Sequence, residues 1–314
     1  MTLVTVIVPV YNRTSELRRA LRSILQQSYQ EFEILVVNDA STEDIAAVVA
    51  EFDDSRIRLI SKPVNEGAAA ARNTGIAMAQ GHWVAFLDSD DEWLPNKLEA
   101  QIAQLATRPD GARISCTGYV ILHLQERRAR EFRPRAKDGL SRALVWGCNL
   151  SPGTTLVAER SCFDEIGLFD VTLRRFEDWD WLMRYAEHYP IAIAPEILAQ
   201  VNKDSMPSHA SVVTSLALLR DKHIDGWFAR SWLLGRKFVS TLLIEEAAAA
   251  FYAQHYRQTL LLLGRSVAAY PLRNAAFYPM AARRLASLFH MPASPFSAGH
   301  GGSGFGKVSE HLKN

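Results

Sequence analysis

The segment WVAFLDSDDEWLP, from Trp83 to Pro95, carries an uncharged run directly into a cluster of acids. The run Trp83–Leu87 is short, apolar and preceded by Gly81, a pattern typical of a strand buried on both faces. Four acids follow within five residues: Asp88, Asp90, Asp91 and Glu92. Carboxylates this close repel one another unless water or a cation lies among them. Because ligands of an open parallel sheet bind outside the carboxyl ends of its strands, these acids are predicted to lie at a ligand site.

Asp88 and Asp90 are two residues apart, so on an extended backbone their side chains point the same way. Two hard oxygen ligands on one side suit Mg²⁺ or Mn²⁺, which take few protein carboxylates and complete their shell with water and substrate phosphate. The alternative is a polar turn that precedes a helix beginning near Pro95. Spacing alone leaves both interpretations open.

The composition is that of an ordinary soluble globular protein, with 314 residues, 48% of them hydrophobic and 22% charged, and a net charge of +1. This length accommodates one large domain and a second unit. The near-neutral charge argues against a dedicated nucleic-acid binder, so no nucleic-acid partner is expected.

The cysteine pattern and the absence of targeting signals predict a cytoplasmic protein. Cys116, Cys148 and Cys162 lie far apart, which indicates a reducing compartment and neither a zinc site nor a disulfide framework. The sequence has no basic segment before its first strand, so no signal peptide is expected. It also has no uncharged apolar stretch of about 18 residues, so no transmembrane helix is expected.

Strands and helices are predicted to alternate up to the acid cluster. In chain order they are the strand VTVIVPV, a helix from Ser15 to Gln27, the strand FEILVVNDAS, a helix from Asp44 to Phe52, the strand IRLIS, a helix in NEGAAAARNTGIAMAQG and the strand that begins at Trp83. This order predicts an α/β sheet with helices on both faces. Residues 1–210 are predicted to form this domain, residues 211–291 a helical region, and residues 292–314 a flexible Gly/Ser-rich tail.

Polar side chains follow the strands at the edge where the predicted ligand site lies. Tyr11 and Asn12 follow the first strand, Asn38 and Asp39 the second, and the aspartates the strand that begins at Trp83. An aromatic ring, a carboxylate and a pair of metal-binding carboxylates in one cleft suit the binding of a nucleotide. The fingerprint G-x-G-x-x-G does not follow the first strand, which disfavours NAD.

Four ordered motifs resemble the family 2 glycosyltransferases with the A-type fold. They are VTVIVPVYNR, FEILVVNDASTED, NEGAAAARNTGIAMAQGHWVAFLDSDDEWLPNKL and GLFDVTLRRFEDWDWLMRY. The resemblance covers roughly residues 3 to 210. It implies a Rossmann-like mixed sheet flanked by helices, here with a C-terminal helical extension. It also implies transfer of one sugar from a nucleotide-sugar, usually UDP-linked, to a saccharide or lipid-linked acceptor with inversion.

The resemblance also implies which residues bind the nucleotide. Tyr11 corresponds to the residue that packs near the uracil, and Asp39 to the one that bonds its N3. Pro9 and Asn12 correspond to residues that shape the same loop. The second strand of the family usually ends in two aspartates, whereas this sequence has Asn38 at the first position. That departure puts only a secondary contact in doubt.

Further positions correspond to the diphosphate and metal side of the family's cleft. Arg72 resembles the helix arginine near the nucleotide. Asp88 and Asp90 match the D-x-D motif that holds Mn²⁺ or Mg²⁺, with Asp90 the direct ligand. His209, in SMPSHAS, loosely matches a mobile loop whose histidine lies near the phosphates, so it is a third metal candidate. The alternative for His209 is a solvated loop histidine.

Asp178, in FEDWD, matches the aspartate proposed as the catalytic base of the family. An acceptor hydroxyl must lose its proton as it attacks, and one base acting in one step gives inversion. Asp178 could instead cap the helix that begins at EDWDWLMRY, and both roles can hold. Trp179 and Trp181 are predicted to be core residues, with a sugar platform as the alternative. Glu177 is either a second polar contact or exposed.

Three other functions are less consistent with the sequence than a single-sugar transferase. A nucleotidyltransferase would need a Gly-rich basic loop after the first strand, which PVYNRTSE does not resemble. A non-catalytic sugar-nucleotide binder would be supported by loss of the D-x-D or of the base, and both are present. A processive synthase would need transmembrane helices and Q-x-x-R-W, and neither is found.

The predicted helical region is basic and rich in large apolar residues. Residues 211–290 contain ten Lys and Arg against four acids, which is +6, although the whole chain is only +1. Such a pattern suits peripheral contact with an anionic membrane. The alternative is a helical bundle with its apolar faces inward. Membrane contact and a helical bundle are compatible if only the last helix, residues 275–290, is exposed.

Overall fold

The computed structural model describes residues 3–107, 109–123, 128–134, 144–203 and 208–271. Its first half alternates strands and helices: β1 (Val4–Val10), α1 (Thr14–Leu25), β2 (Phe32–Asn38), α2 (Ile45–Ala50), β3 (Ile57–Ser61), α3 (Ala68–Met78) and β4 (Trp83–Phe86). Every predicted element of this stretch is present. Helix α2 begins one residue later than predicted because Asp44 is its N-cap, where Oδ1 accepts a 2.9 Å bond from the N–H of Ala47, and it ends at Ala50, before the predicted Phe52.

The second half mixes short strands with helices, as predicted. Its elements are β5 (Glu92–Trp93), α4 (Lys97–Ala106), β6 (Ile114–His123), β7 (Arg128–Phe132), α5 (Pro152–Thr155), β8 (Val157–Glu159), α6 (Ser161–Ile166), α7 (Glu177–Tyr185) and β9 (Ala192–Asn202), then α8 (His209–Arg230), α9 (Trp232–Tyr252) and α10 (Tyr256–Ala269). Short 3₁₀ turns lie at Pro109–Gly111 and Leu144–Trp146.

The described strands form one mixed sheet in the order β3-β2-β1-β4-β8-β6-β9-β5, and β7 pairs with β6. The first four strands are parallel to one another, whereas β8 runs antiparallel to β4. The chain passes from β1 to β2 and β3 on one side, then returns to place β4 on the other side of β1. The carboxyl ends of β1 and β4 therefore meet where the strand order reverses, which is where α/β sheets bind ligands.

Side chains of β1 alternate between the two faces of the sheet, so both faces are covered. Val4, Val6 and Val8 lie in the hydrophobic cluster that includes α1, whereas Ile7 lies in the cluster on the opposite face. Pro9 is tolerated within this central strand because β1 pairs with β4 only as far as Ile7.

The helices α8, α9 and α10 pack against one another and on the α/β part. The Thr241 hydroxyl of α9 donates to the backbone carbonyl of Val145 at 2.7 Å, and Phe238 is fully buried in the same cluster as Trp227 and Trp179. Among the helices of residues 3–271 that the structure describes, none has both the length and the apolarity of a membrane span. The predicted helix at residues 275–290 and tail at 292–314 lie outside the described residues.

Candidate active site

The loops that follow β1 and β2 are joined through Asn12. Its backbone has φ of 50°, and its Oδ1 accepts bonds from the N–H of Thr42 at 2.8 Å and of Glu43 at 3.4 Å. Its own N–H donates to the Ser41 hydroxyl at 3.0 Å. Asn12 thereby fixes the turn that leaves Tyr11 at the strand end with 47% of its surface exposed. An exposed ring held on a fixed loop is suited to stacking against a planar ligand.

Asp39 is buried at the end of β2 and is held by several donors. Its Oδ1 accepts from Lys62 Nζ at 2.9 Å and from the N–H of Glu66 at 3.1 Å, and its Oδ2 accepts from the N–H of Gly67 at 2.7 Å. Burial acts to lower the pKa of Lys62, but its bonds to Asp39 and Glu66 outweigh burial and raise it. A carboxylate oxygen can accept two bonds, so Oδ2 keeps acceptor capacity for a ligand.

Arg72 is buried on α3 and bridges two acids that are far apart in the chain. Its Nη2 donates to Asp88 Oδ1 at 2.6 Å, and its Nη1 donates to Glu177 Oε1 at 2.5 Å. Burial opposes the charge of Arg72, yet the charges of Asp88 and Glu177 outweigh burial and raise the pKa of the guanidinium. Arg72 therefore stays charged and ties the end of β4 to the start of α7.

Gly153, on α5, lies against this ion pair. A Cβ added at Gly153 would lie 2.7 Å from Asp88 Oδ2 and 2.8 Å from Arg72 Nη2. Real Cβ contacts are not this short, so any larger residue would displace one member of the pair. Gly153 is thus part of the support of Asp88, and the segment SPGTT carries no sequence signal that would have revealed it.

The acid loop, residues 88–92, is held in place by the side chain of Asp91. Asp91 accepts a short bond from the Thr154 hydroxyl, and its Oδ1 accepts from the N–H of Asn202 at 2.9 Å. Asn202 also donates through Nδ2 to the backbone carbonyl of Asp90 at 2.7 Å. Burial, aided by the charges of Asp88 and Asp90, raises the pKa of Asp91 well above its usual range.

Asp90 forms an ion pair with the loop that follows β1. Its Oδ2 lies 2.6 Å from Arg13 Nη1, and the two side chains are 21% and 41% exposed. The sequence interpretation missed Arg13, although its position directly after Asn12, at the same strand end, was a usable signal. It also missed the anchoring role of Asp91 and Asn202.

Asp178 is the second residue of α7, and Phe176 occupies the N-cap position with φ of 66°. The alternative that Asp178 caps this helix is therefore wrong. Its Oδ1 instead accepts a 2.7 Å bond from the adjacent N–H of Trp179. Burial raises the pKa of Asp178 to about 6, the charge of Glu177 adds to the rise, and Arg72 opposes it. A partly buried carboxylate with this pKa is suited to accept a proton near neutral pH.

The tryptophans beside Asp178 are core residues, as predicted. Trp179 and Trp181 are 1% and 0% exposed. Their indole N–H groups donate to the backbone carbonyls of Leu144 at 3.0 Å and Gly167 at 2.8 Å. Burial and satisfied hydrogen bonds exclude the alternative of a sugar platform. Glu177 is buried and bonded to Arg72, so it is the polar contact and not the exposed residue of the two alternatives.

His209 lies at the start of α8, where its ring centroid is 5.1 Å from that of His255. Its Nε2 is buried and has no hydrogen-bond partner in the part of the chain that the structure describes. This ring contact is with His255, which directly precedes α10, and within the described residues His209 is not grouped with Asp88 and Asp90.

Asp88 and Asp90 offer the hard oxygen atoms that Mg²⁺ and Mn²⁺ prefer, and each already attracts a guanidinium. Within the described residues, no three His, Cys, Asp or Glu side chains are grouped as a metal site. Two carboxylates are few ligands, so a divalent ion held here would take most of its ligands from water and a diphosphate.

The comparisons with known proteins agree on one family. The model of the family described as glycosyl transferase family 2 matches residues 5–166. Escherichia coli WfgD, a UDP-Glc:alpha-D-GlcNAc-diphosphoundecaprenol beta-1,3-glucosyltransferase, is 45% identical over 103 residues, 33% of this chain and 41% of WfgD. The glycosyl transferase WcaA of E. coli K12, named for colanic acid biosynthesis, is 31% identical over 202 residues, 62% of this chain and 72% of WcaA. The match thus spans less than half the length of WfgD.

Solved structures show the same fold. S. aureus TarS 1-349 in complex with UDP-GlcNAc has a TM-score of 0.56 at 17% identity, covering 86% of this chain and 92% of that one. The mannosyltransferase PcManGT of Pyrobaculum calidifontis, in complex with GDP-Man and Mn²⁺, has a TM-score of 0.57 at 21% identity. The alignment covers 90% of this chain and 80% of PcManGT. These likenesses confirm the predicted A-type fold, a mixed sheet flanked by helices with a helical C-terminal part.

Proposed function

Because the chain belongs to glycosyl transferase family 2, we propose that it moves a single sugar from a UDP-linked donor to a hydroxyl of a saccharide or lipid-linked acceptor, with inversion. The observation that carries this proposal is the Arg72 bridge, which holds Asp88 of the D-x-D within one network with Glu177, the neighbour of Asp178. A buried cation that links the acid loop to the start of α7 supports a site in which a diphosphate and a base act together.

The donor is assigned to the edge formed by the ends of β1 and β2. Tyr11 stacks on the base, and Asp39 Oδ2 accepts the N3–H of uracil, which a purine does not offer in the same place. Pro9 and Asn12 set the loop that presents Tyr11, and Arg72 supplies positive charge near the diphosphate. The exposure of Tyr11 and the remaining acceptor capacity of Asp39 support this assignment.

Asp90, with Asp88 beside it, would hold Mn²⁺ or Mg²⁺. When bound, a divalent ion supplies positive charge to the departing nucleoside diphosphate. Both carboxylates pair with an arginine, but Arg72, the partner of Asp88, is buried, whereas Arg13 is 41% exposed and can leave Asp90, which supports Asp90 as the direct ligand. Asn202 and Asp91 hold the backbone of this loop in place. For His209 the metal role rests on the sequence alone.

Asp178 removes the proton of the acceptor hydroxyl as the oxygen attacks the anomeric carbon. With a pKa of about 6 it is mostly ionised at pH 7, yet it is a stronger base than an ordinary aspartate. The proton passes to the Asp178 carboxylate while the bond from the sugar to the diphosphate breaks on the opposite face. One displacement with one base inverts the anomeric centre.

The acceptor assignment draws on the relatives. The name of WfgD specifies a diphosphoundecaprenol-linked sugar as acceptor, and WcaA is named for colanic acid biosynthesis. We therefore assign a saccharide that is carried on a lipid diphosphate or on a growing polysaccharide. An acceptor of the first kind would place the enzyme at the cytoplasmic face of a membrane, with the C-terminal helices as the contact.

The test is to incubate the protein with Mn²⁺, an acceptor panel and a panel of UDP- and GDP-sugars, and to score the nucleotide that is released. UDP release that depends on the acceptor is expected. Asp178→Asn keeps the size of the side chain but cannot take the proton, so it should bind UDP normally and lose about 10²- to 10⁴-fold in rate. Pyrophosphate release would show nucleotidyl transfer, and near-normal turnover by the Asn variant would remove Asp178 as the base.

A further inference from the structure

Arg13 and Asp90 come from loops on opposite sides of the point where the strand order reverses. Arg13 follows β1 and Asp90 follows β4, and these two strands are neighbours in the sheet. The contact of 2.6 Å between Arg13 Nη1 and Asp90 Oδ2 therefore joins the loops that follow these two strands. A guanidinium thus neutralises the carboxylate to which a divalent ion has been assigned.

The two side chains differ in how firmly the fold holds them. The backbone of Asp90 is bonded by Asn202, and the adjacent Asp91 is buried. Arg13 stands on a long side chain that is 41% exposed, at the N-terminal boundary of α1. A half-exposed ion pair of this kind contributes little to stability, so the guanidinium can leave Asp90 at small cost.

We infer that Arg13 is a donor-binding residue that exchanges partners, resting on the proposed function for the identity of the donor. Without donor, Arg13 neutralises Asp90 and competes with a divalent ion for its carboxylate. With nucleoside diphosphate and metal present, Asp90 would hold the ion and the freed guanidinium would bind the diphosphate oxygen atoms. Arg13 is two residues from Tyr11, so one short loop would contact both the base and the diphosphate.

The exchange makes two predictions of opposite sign for Arg13→Gln. Mn²⁺ should bind the nucleotide-free protein about two- to five-fold more tightly, because a competing cation has been removed. UDP, in saturating Mn²⁺, should bind roughly ten-fold more weakly, because a charged donor to the diphosphate is lost. Binding of uridine, which has no phosphate, should not change. Arg13→Lys keeps the charge, so its Mn²⁺ and UDP affinities should lie between those of the wild type and Arg13→Gln.

Arg19→Gln is the matched control. Arg19 lies on α1, is 37% exposed and pairs with Glu92 at 3.3 Å, two residues from Asp90. This variant removes an equal charge from the same loop region but should leave both affinities as in the wild type. A merely structural role of Arg13 would weaken Mn²⁺ and UDP binding together.

Mn²⁺ binding is measured by electron paramagnetic resonance and UDP binding by calorimetry, with GDP as a second probe. Tighter Mn²⁺ and weaker UDP in Arg13→Gln alone would support the exchange. Unchanged affinities, a shift of both in the same direction, or equal shifts in Arg19→Gln would overturn it. Neither measurement needs turnover, so a wild type that binds UDP but transfers no sugar would count against the proposed function only.

Discussion

Arg72 is the residue on which the candidate site depends most, because its buried guanidinium is shared by Asp88 and Glu177. Its charge also moderates Asp178, whose pKa would otherwise rise further under burial and the charge of Glu177. Burial and Glu177 raise the pKa of the proposed base, and Arg72, which lies 105 positions before its partner Glu177, limits that rise.

The first prediction concerns the pH dependence of the reaction. The base must be ionised to accept a proton, so kcat/KM should rise about ten-fold per pH unit below the pKa of Asp178 and level off above about 6. An added divalent ion brings positive charge and lowers this midpoint. The measurement is a pH profile of initial rates at fixed Mn²⁺. A profile that is already flat from pH 4.5 upward would contradict the raised pKa.

Lys97, the first residue of α4, gives a prediction for stability. It is fully buried, its Nζ donates to Gln101 Oε1 at 2.6 Å, and burial lowers the pKa of its amine from 10.5 to about 7. Between these values the unfolded chain holds a proton that the folded protein has released. The free energy of unfolding should therefore rise with pH from about 7, by at most about 1.4 kcal/mol per unit.

Urea titrations at pH 7, 8 and 9 measure this slope. Lys97→Met has a similar volume and no titrating group, so its stability should be less dependent on pH across the same window. The comparison rests on the slope and not on the absolute stability, since the variant also leaves Gln101 Oε1 without its donor. Equal slopes in the two proteins would mean that Lys97 titrates normally.

At the scale of elements, helix α5 is the support of the end of β4. It is only four residues long, but Gly153 contacts the Asp88–Arg72 pair and Thr154 bonds Asp91. The acid loop is thus held from α5 on one side and from the end of β9, through Asn202, on the other. Its geometry is set by two elements, α5 and β9, that are distant from it in sequence.

Gly153→Ala tests this support. The new Cβ would lie under 3 Å from Asp88 and Arg72 side-chain atoms, so the carboxylate or the guanidinium must shift. A displacement of this order in a catalytic group can cost about 10²-fold in rate, so kcat/KM should fall by at least 10-fold. Donor binding and initial rates are measured together.

Gly226→Ala is the control for that substitution. Gly226 lies on α8 with no atom within 4 Å of an added Cβ, so Ala should leave the activity unchanged and stabilise the helix by up to about 1 kcal/mol. Equal activity of the Gly153 and Gly226 variants would show that α5 does not position the acid loop.

At the scale of the whole molecule, a buried aspartate connects the helical region to the α/β part. Asp180 of α7 is fully buried, and its oxygens bond His223 Nε2 at 2.7 Å and Lys222 Nζ at 2.9 Å, both on α8. Arg184 Nε adds a third partner at 3.0 Å. Since α7 also carries Asp178, the helical region is joined directly to the helix of the proposed base.

Asp180→Asn should therefore destabilise the protein. It removes the negative charge that three nitrogen-bearing side chains face, and loss of one partner of a buried charge group costs about 3 kcal/mol. Asp221→Asn is the control, because Asp221 is 65% exposed and pairs with its exposed neighbour Arg220, so a change below about 0.5 kcal/mol is expected. Urea unfolding at pH 7.5 compares the two, and equal stability would contradict the connection.

The sequence alone predicts the order of strands and helices up to the acid cluster, the helical region that follows residue 210 and the position of the D-x-D. These are local properties: alternation of apolar residues, Gly and Asp at element ends, and acids directly after a buried run. They suffice to place Asp39, Asp88 and Asp90 at strand ends, because parallel strands end at one edge of their sheet. The family resemblance supplied Asp178, which spacing alone would have interpreted as a cap.

Only the tertiary structure decided which side chains meet. Arg72 joins Asp88 and Glu177, Arg13 reaches Asp90, and Gly153 packs on the Asp88 carboxylate. None of these pairings follows from local pattern, because each depends on the strand order, on the loops between strands and on the packing of α5 and α7. Ion pairs and close contacts across the sheet are set by distances of a few ångströms between segments remote in the chain, and periodicity carries no information about such distances.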